Sequence, residues 1–113
     1  MSAIAELARR QLAAYNASDL DAFAACYHED VVVFRGDEES LRGRPALRES
    51  YRPMFEGMEF GGEAPQRIHV GPHCVDLEHW WRVDQETGER TTGTVLVRYQ
   101  ERDGLIGTVQ FLS

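Results

Sequence analysis

Between Ser2 and Asn16, apolar residues return at helical intervals: Ile4, Leu7, Ala8, Leu12 and Tyr15 fall on one side, and Glu6, Arg9, Arg10 and Ala13 on the other. That stripe predicts a first helix. Asn16-Ala17-Ser18 closes it, and Ser18 with Asp21 makes a capping-box-like start for a short second helix whose inner face is Leu20, Phe23, Ala24 and Tyr27. The β-branched run Val31-Val32-Val33-Phe34 predicts a strand, and a polar turn follows. Leu41-Arg42-Gly43-Arg44-Pro45 opens a third helix, with proline suited to a first turn and Leu47, Tyr51, Met54, Phe55 and Met58 along one face. Pro53 has no N–H to donate, which predicts a kink or fraying in the last turn.

Gly61-Gly62 ends the helical half, and the period then changes to two. Residues 66–70, 73–84, 91–102 and 105–112 predict four strands of an antiparallel meander. Turn chemistry sits at each joint: Gly71-Pro72, Glu86-Thr87-Gly88-Glu89, and Asp103-Gly104, which suits a tight hairpin. Long strands in a bent sheet need relief, and Gly93 and Gly107 are the candidate places. The order of elements predicts an α+β fold with three N-terminal helices packed on a strongly curved, mainly antiparallel sheet. Such a sheet forms a cone with an internal pocket, the cystatin-like roll.

A length of 113 residues suits a single domain over 1–113. The net charge of -7, with basic residues scattered rather than striped, argues against a nucleic-acid partner. No apolar run approaches the ~20 residues that span a bilayer, and the start has neither a basic segment nor an apolar h-region, so a cytoplasmic protein without membrane contact is expected. Cys26 and Cys74 are too few for a disulfide framework and read as packed thiols. His69, His73 and Cys74 alternate faces around a turn, so no metal site is read from them, and no cofactor is expected.

Several segments together resemble SnoaL-like proteins of the nuclear transport factor 2-like, ketosteroid-isomerase-like superfamily. They are the stretch 14–23 (Ala-Tyr-Asn-Ala-Ser-Asp-Leu-Asp-Ala-Phe), Glu29-Asp30 before a strand, Leu41-Arg42-Gly43-Arg44-Pro45-Ala46-Leu47-Arg48, Val70-Gly71 before Val75-Asp76-Leu77-Glu78, and Asp103-Gly104-Leu105-Ile106. The resemblance runs through nearly the whole chain and implies the cone fold. It does not select a reaction, because the fold hosts isomerases, cyclases, epoxide hydrolases, dehydratases and binding domains. Ketosteroid isomerases use a carboxylate base with a Tyr and a protonated Asp as oxyanion donors. Carried onto this chain, the Tyr position holds Gln11, the base position holds Arg35, and 91–100 contains no acid. Steroid isomerisation is therefore not expected.

Other chemistry is read from the alternation of the second meander strand. Val75, Leu77, His79, Trp81 and Val83 share one face and read as the inner one, which would set His79 in the cone as a candidate acid/base. Asp76 and Glu78 on the opposite face match Arg67, Arg82 or Arg98 for cross-strand ion pairs. Gln11, Tyr15, Tyr27, Phe34, Tyr51, Phe55, Trp81 and Tyr99 are the candidate pocket lining, with hydroxyl groups as polar points in an apolar wall. Trp80 and Leu96, opposite the inner set, predict a homodimer through the outer face of the sheet. Three functions stay open: a pocket for a small apolar or carbonyl-bearing ligand, a lyase or isomerase using His79, or a dimerisation scaffold with a vestigial pocket.

Overall fold

The computed structural model describes residues 2–113; Met1, at the start of the sequence read above, lies outside the described residues. Helix α1 spans Ala3–Asn16, and the Ser2 side chain caps it by accepting from the Ala5 N–H at 3.2 Å. Its buried stripe is Ile4, Leu7, Ala8, Gln11, Ala14 and Tyr15. Helix α2 spans Leu20–Ala25, and its cap is Asp19, which accepts from the Ala22 N–H at 3.0 Å, not the expected Ser18. Ser18 has φ 55, a left-handed turn conformation that removes it from the cap position.

Strand β1 (Tyr27–Arg35) forms a hairpin with β2 (Glu38–Arg42), and helix α3 (Arg44–Gly57) follows from the Gly43 cap. Tyr27 therefore opens a strand and does not belong to the second helix. The polar residues of β2 have weak strand propensity; this edge strand pairs with β1 and packs only Leu41 against the core, so no apolar alternation announces it. The meander is β3 (Met58–Val70), β4 (His73–Asp84), β5 (Arg90–Arg102) and β6 (Leu105–Leu112). β3 starts earlier than expected, so Gly61-Gly62 lies inside a strand instead of ending the helical half. Asn16 at the end of α1 holds that place, exchanging two hydrogen bonds with the Gly62 backbone at 2.8 and 2.9 Å.

The six-stranded sheet runs in the order β2-β1-β6-β5-β4-β3, with β1 and β6 parallel and every other pair antiparallel. Asp103 and Gly104 both take positive φ, as a tight hairpin turn requires. At the β5–β6 ladder the partner shifts from Gln100↔Thr108 to Glu101↔Ile106, which leaves Gly107 as the extra residue of a bulge. Gly93 makes no bulge; its role is described below. The helices cover one face of the sheet. Phe23, Tyr15 and Phe60 from α2, α1 and β3 pack with Phe55 and Tyr51 of α3 into an aromatic layer, with ring centroids 4.6 to 6.3 Å apart.

Candidate functional site

The face of β4 turned toward the helices carries Cys74, Asp76, Glu78, Trp80 and Arg82, opposite Tyr99, Val97, Val95, Gly93 and Thr91 of β5. Cys74 and Asp76 are each 1% exposed. The expected inner set is thus the outer one: Val75, Leu77, His79, Trp81 and Val83 point away from the helices. His79 is exposed, with its Nδ1 2.9 Å from Thr94 Oγ1 on the neighbouring strand, so it does not serve the interior. Trp81 lies over Gly61 on that outer side, and Phe34, between buried Val33 and cavity-lining Arg35, also points outward. Trp80, expected outside, is inside. Alternation separates two faces without saying which one the helices cover, and here the covered face is the more polar of the two.

Inside lies a cavity of about 310 Å³ whose lining includes Gln11, Tyr15, Tyr27, Tyr51 and Tyr99. Phe55 sits behind it in the aromatic layer. At the deep end three side chains form a chain of hydrogen bonds whose direction is dictated by what each group can do. The Gln11 amide nitrogen lies 3.1 Å from the Ala8 carbonyl, which can only accept, so Nε2 must face it and Oε1 must face the other way. Oε1 then accepts from the Tyr27 hydroxyl at 3.1 Å, and Nε2 gives its second proton to the Tyr99 oxygen at 2.9 Å. Tyr27 has spent its proton. Tyr99 has not: among the described residues none accepts it, and Tyr99 is part of the cavity lining. Burial raises the pKa of both phenols well above the ordinary value, so they stay protonated.

Two carboxylates face inward, and they differ. Asp76 is held by a bidentate pair with Arg67 of β3, at 2.6 and 2.8 Å, the cross-strand partner expected of it. Glu78 lines the cavity, and burial, aided by the Asp76 charge and opposed by Arg82, pushes its carboxyl up to about 7. A group at that value is divided between acid and base at neutral pH, the condition for proton transfer in either direction. Sequence reasoning missed Glu78 because it lay on the face taken as outer. One signal was present: a glycine, Gly93, falls inside a long strand, and it is the residue opposite Trp80, where its missing side chain leaves room for the ring.

Toward the opening, two arginines stack on aromatic rings. Arg35 lies over Phe111 at 5.1 Å and Arg82 over Trp80 at 4.7 Å, and both line the cavity. No group of His, Cys, Asp and Glu among the described residues is arranged to hold a metal ion.

A family model described as the SnoaL-like domain matches residues 8–108. The chain belongs to the SnoaL-like domain family. No curated protein matches this SnoaL-like domain in sequence. Among solved structures, an uncharacterised cystatin-fold protein from Novosphingobium aromaticivorans shares 21% identity at a TM-score of 0.87, covering 100% of this chain and 99% of its own. The Delta 5-3-ketosteroid isomerase from Mycobacterium sp. shares 15% at 0.89, covering 100% and 94%. Rv0760c from Mycobacterium tuberculosis, in complex with estradiol-17beta-hemisuccinate, shares 12% at 0.87, covering 98% and 93%. At these identities the likeness is one of fold.

Proposed function

We propose that this SnoaL-like domain is a small-molecule pocket protein that binds a carbonyl-bearing ligand with its oxygen on the Tyr99 hydroxyl. The observation that carries this reading is the one-way chain from Tyr27 through Gln11 to Tyr99, which lines the cavity and whose own proton has no acceptor among the described residues. A ligand oxygen there completes a buried donor, and an analogue without that oxygen leaves it unpaired at a cost of about 1–3 kcal/mol. The fold neighbours include an isomerase of ketosteroids and a protein holding an estradiol ester, which suits an apolar ligand with oxygen substituents. Calorimetric titration with acetophenone against ethylbenzene tests the reading. Preference for the ketone, lost in Tyr99→Phe, supports it; equal binding of the two compounds overturns it.

Glu78 favours a second, catalytic reading in which the exposed His79 has no part. A carboxylate near neutrality in the same cavity can accept a proton from the carbon beside a carbonyl held by Tyr99 and return it elsewhere, the work of an isomerase or lyase. Exchange of the acetophenone methyl protons in deuterium oxide, followed by proton NMR, measures that step directly. It should be faster with the wild-type protein than with Glu78→Gln, and equal rates count against a catalytic role.

The outer face supports self-association. Ile68 and Val70 of β3 are 72% and 75% exposed, Leu96 and Leu112, paired on β5 and β6, are 43% and 38% exposed, and Val75 and Leu77 of β4 lie between them, an apolar face that a second copy of the chain would cover. Leu96 stays part of that face; Trp80 does not.

A further inference from the structure

We propose that Arg35 and Arg82 form an anion subsite at the mouth of the cavity, so that the ligand is a small keto acid, with its carbonyl on Tyr99 and its carboxylate on the two guanidinium groups. The proposal rests on the pocket reading above and names the ligand class for it.

Placement comes first. Arg35 ends β1 and Arg82 lies toward the end of β4, strands separated in the sheet by β6 and β5, so the two charges approach the cavity from opposite sides of the cone. Both line it. The Tyr51 hydroxyl, which burial raises to about 12, feels both charges, each of which opposes that rise.

Neither guanidinium takes part in an ion pair among the described residues, although the chain has nineteen acidic side chains against twelve basic ones. Arg9, Arg42, Arg48, Arg52, Arg67 and Arg102 each stand within ion-pair distance of a carboxylate, whereas Arg35 and Arg82, which line the cavity, do not. Glu38 stands opposite Arg35 in the β1–β2 ladder without pairing to it, and Glu78 shares the face of Arg82 without closing to ion-pair distance.

Stacking explains why these two are suited to a carboxylate. Each guanidinium lies over a ring and carries its N–H groups in its own plane, along the edge; that of Arg82 also meets the Tyr15 hydroxyl. That edge matches the two oxygens of a carboxylate. The Trp80, Tyr15 and Phe23 side chains between the mouth and Tyr99 offer the intervening apolar wall.

Three probes separate this inference from the reading on which it rests: acetophenone, its para-carboxylate (para-acetylbenzoate), and benzoate, titrated by calorimetry at low salt into the wild type, the double variant Arg35→Gln/Arg82→Gln, and Tyr99→Phe. The wild type should bind para-acetylbenzoate about tenfold or more tightly than acetophenone, as charge-assisted hydrogen bonds allow. The double variant should bring that ratio close to one. Tyr99→Phe should weaken both ketones alike and leave benzoate untouched, so loss of the carbonyl contact and loss of the anion contact read out on different probes. A wild-type ratio near one, or a ratio that persists in the double variant, overturns the subsite. Should the double variant not fold, the wild-type ratio and its decline between low and high salt decide alone.

Discussion

The Trp80 indole fills the space that a side chain at Gly93 would occupy: a Cβ built on that glycine stands 2.3 Å from the ring. The two residues are direct partners in the β4–β5 ladder, so the ring cannot slide away without leaving the cavity wall. Gly93→Ala should therefore force the indole aside and destabilise the fold by about 1–3 kcal/mol, the usual cost of overpacking. Urea denaturation checks it, and Gly93→Ala combined with Trp80→Leu should recover part of the loss, because the clash then has no second partner.

Glu78 makes stability depend on pH in a defined direction. Its carboxyl is raised from 4.5 to about 7, so between those values the folded state holds a proton that the unfolded state has released, and stability falls as pH rises through that window. At about 1.36 kcal/mol per unit the full effect is on the order of 3 kcal/mol above pH 7. Glu78→Gln, which cannot ionise, should be more stable than the wild type at pH 8 and no more stable at pH 4. Thermal unfolding across that range would show the two curves meeting at the acid end.

Gln11 has two tyrosines depending on it. Gln11→Leu keeps the volume but leaves the buried Tyr27 hydroxyl with a proton and no side-chain acceptor, which should cost about 1–3 kcal/mol in urea denaturation. Adding Tyr27→Phe removes the orphaned group, and the double variant should be more stable than Gln11→Leu alone.

The apolar strip on the outer sheet face should make the chain a dimer at micromolar concentration. Sedimentation velocity on the wild type and on Ile68→Lys/Leu96→Lys provides the check. The variant should sediment as a monomer with its circular dichroism unchanged, since both side chains are exposed and leave the core alone.

Local order was legible in the chain because it depends on neighbours in sequence. The α1 stripe, the span of β4 from His73 to Asp84, the Asp103-Gly104 hairpin and the bulge at Gly107 each follow from a residue's own stereochemistry or from spacing within one element. β2 escaped because Glu38, Glu39 and Ser40 are poor strand formers, and what makes them a strand is the pairing with β1. The site was half legible. Gln11, Tyr15, Tyr27, Tyr51 and Tyr99 line the cavity, whereas His79, Trp81 and Phe34 stand outside it and Glu78 and Arg82 within it.

By itself the sequence determined that β4 has two faces, one with Val75, Leu77, His79, Trp81 and Val83 and one with Cys74, Asp76, Glu78, Trp80 and Arg82. Only the tertiary structure decided which of them the helices cover. Placing the apolar face inside assumes that the other face meets water and that the interior is a dry core. Here the interior is a cavity in which Arg67 neutralises Asp76 across the sheet and a directed chain of hydroxyl and amide groups satisfies its own buried atoms, so polar side chains are tolerated within. That compensation comes from residues far apart in sequence, Asp76 with Arg67 on the next strand and Gln11 with Tyr99 across the molecule. No pattern within one strand encodes such partners, so the direction in which Glu78 points is a property of the assembled fold.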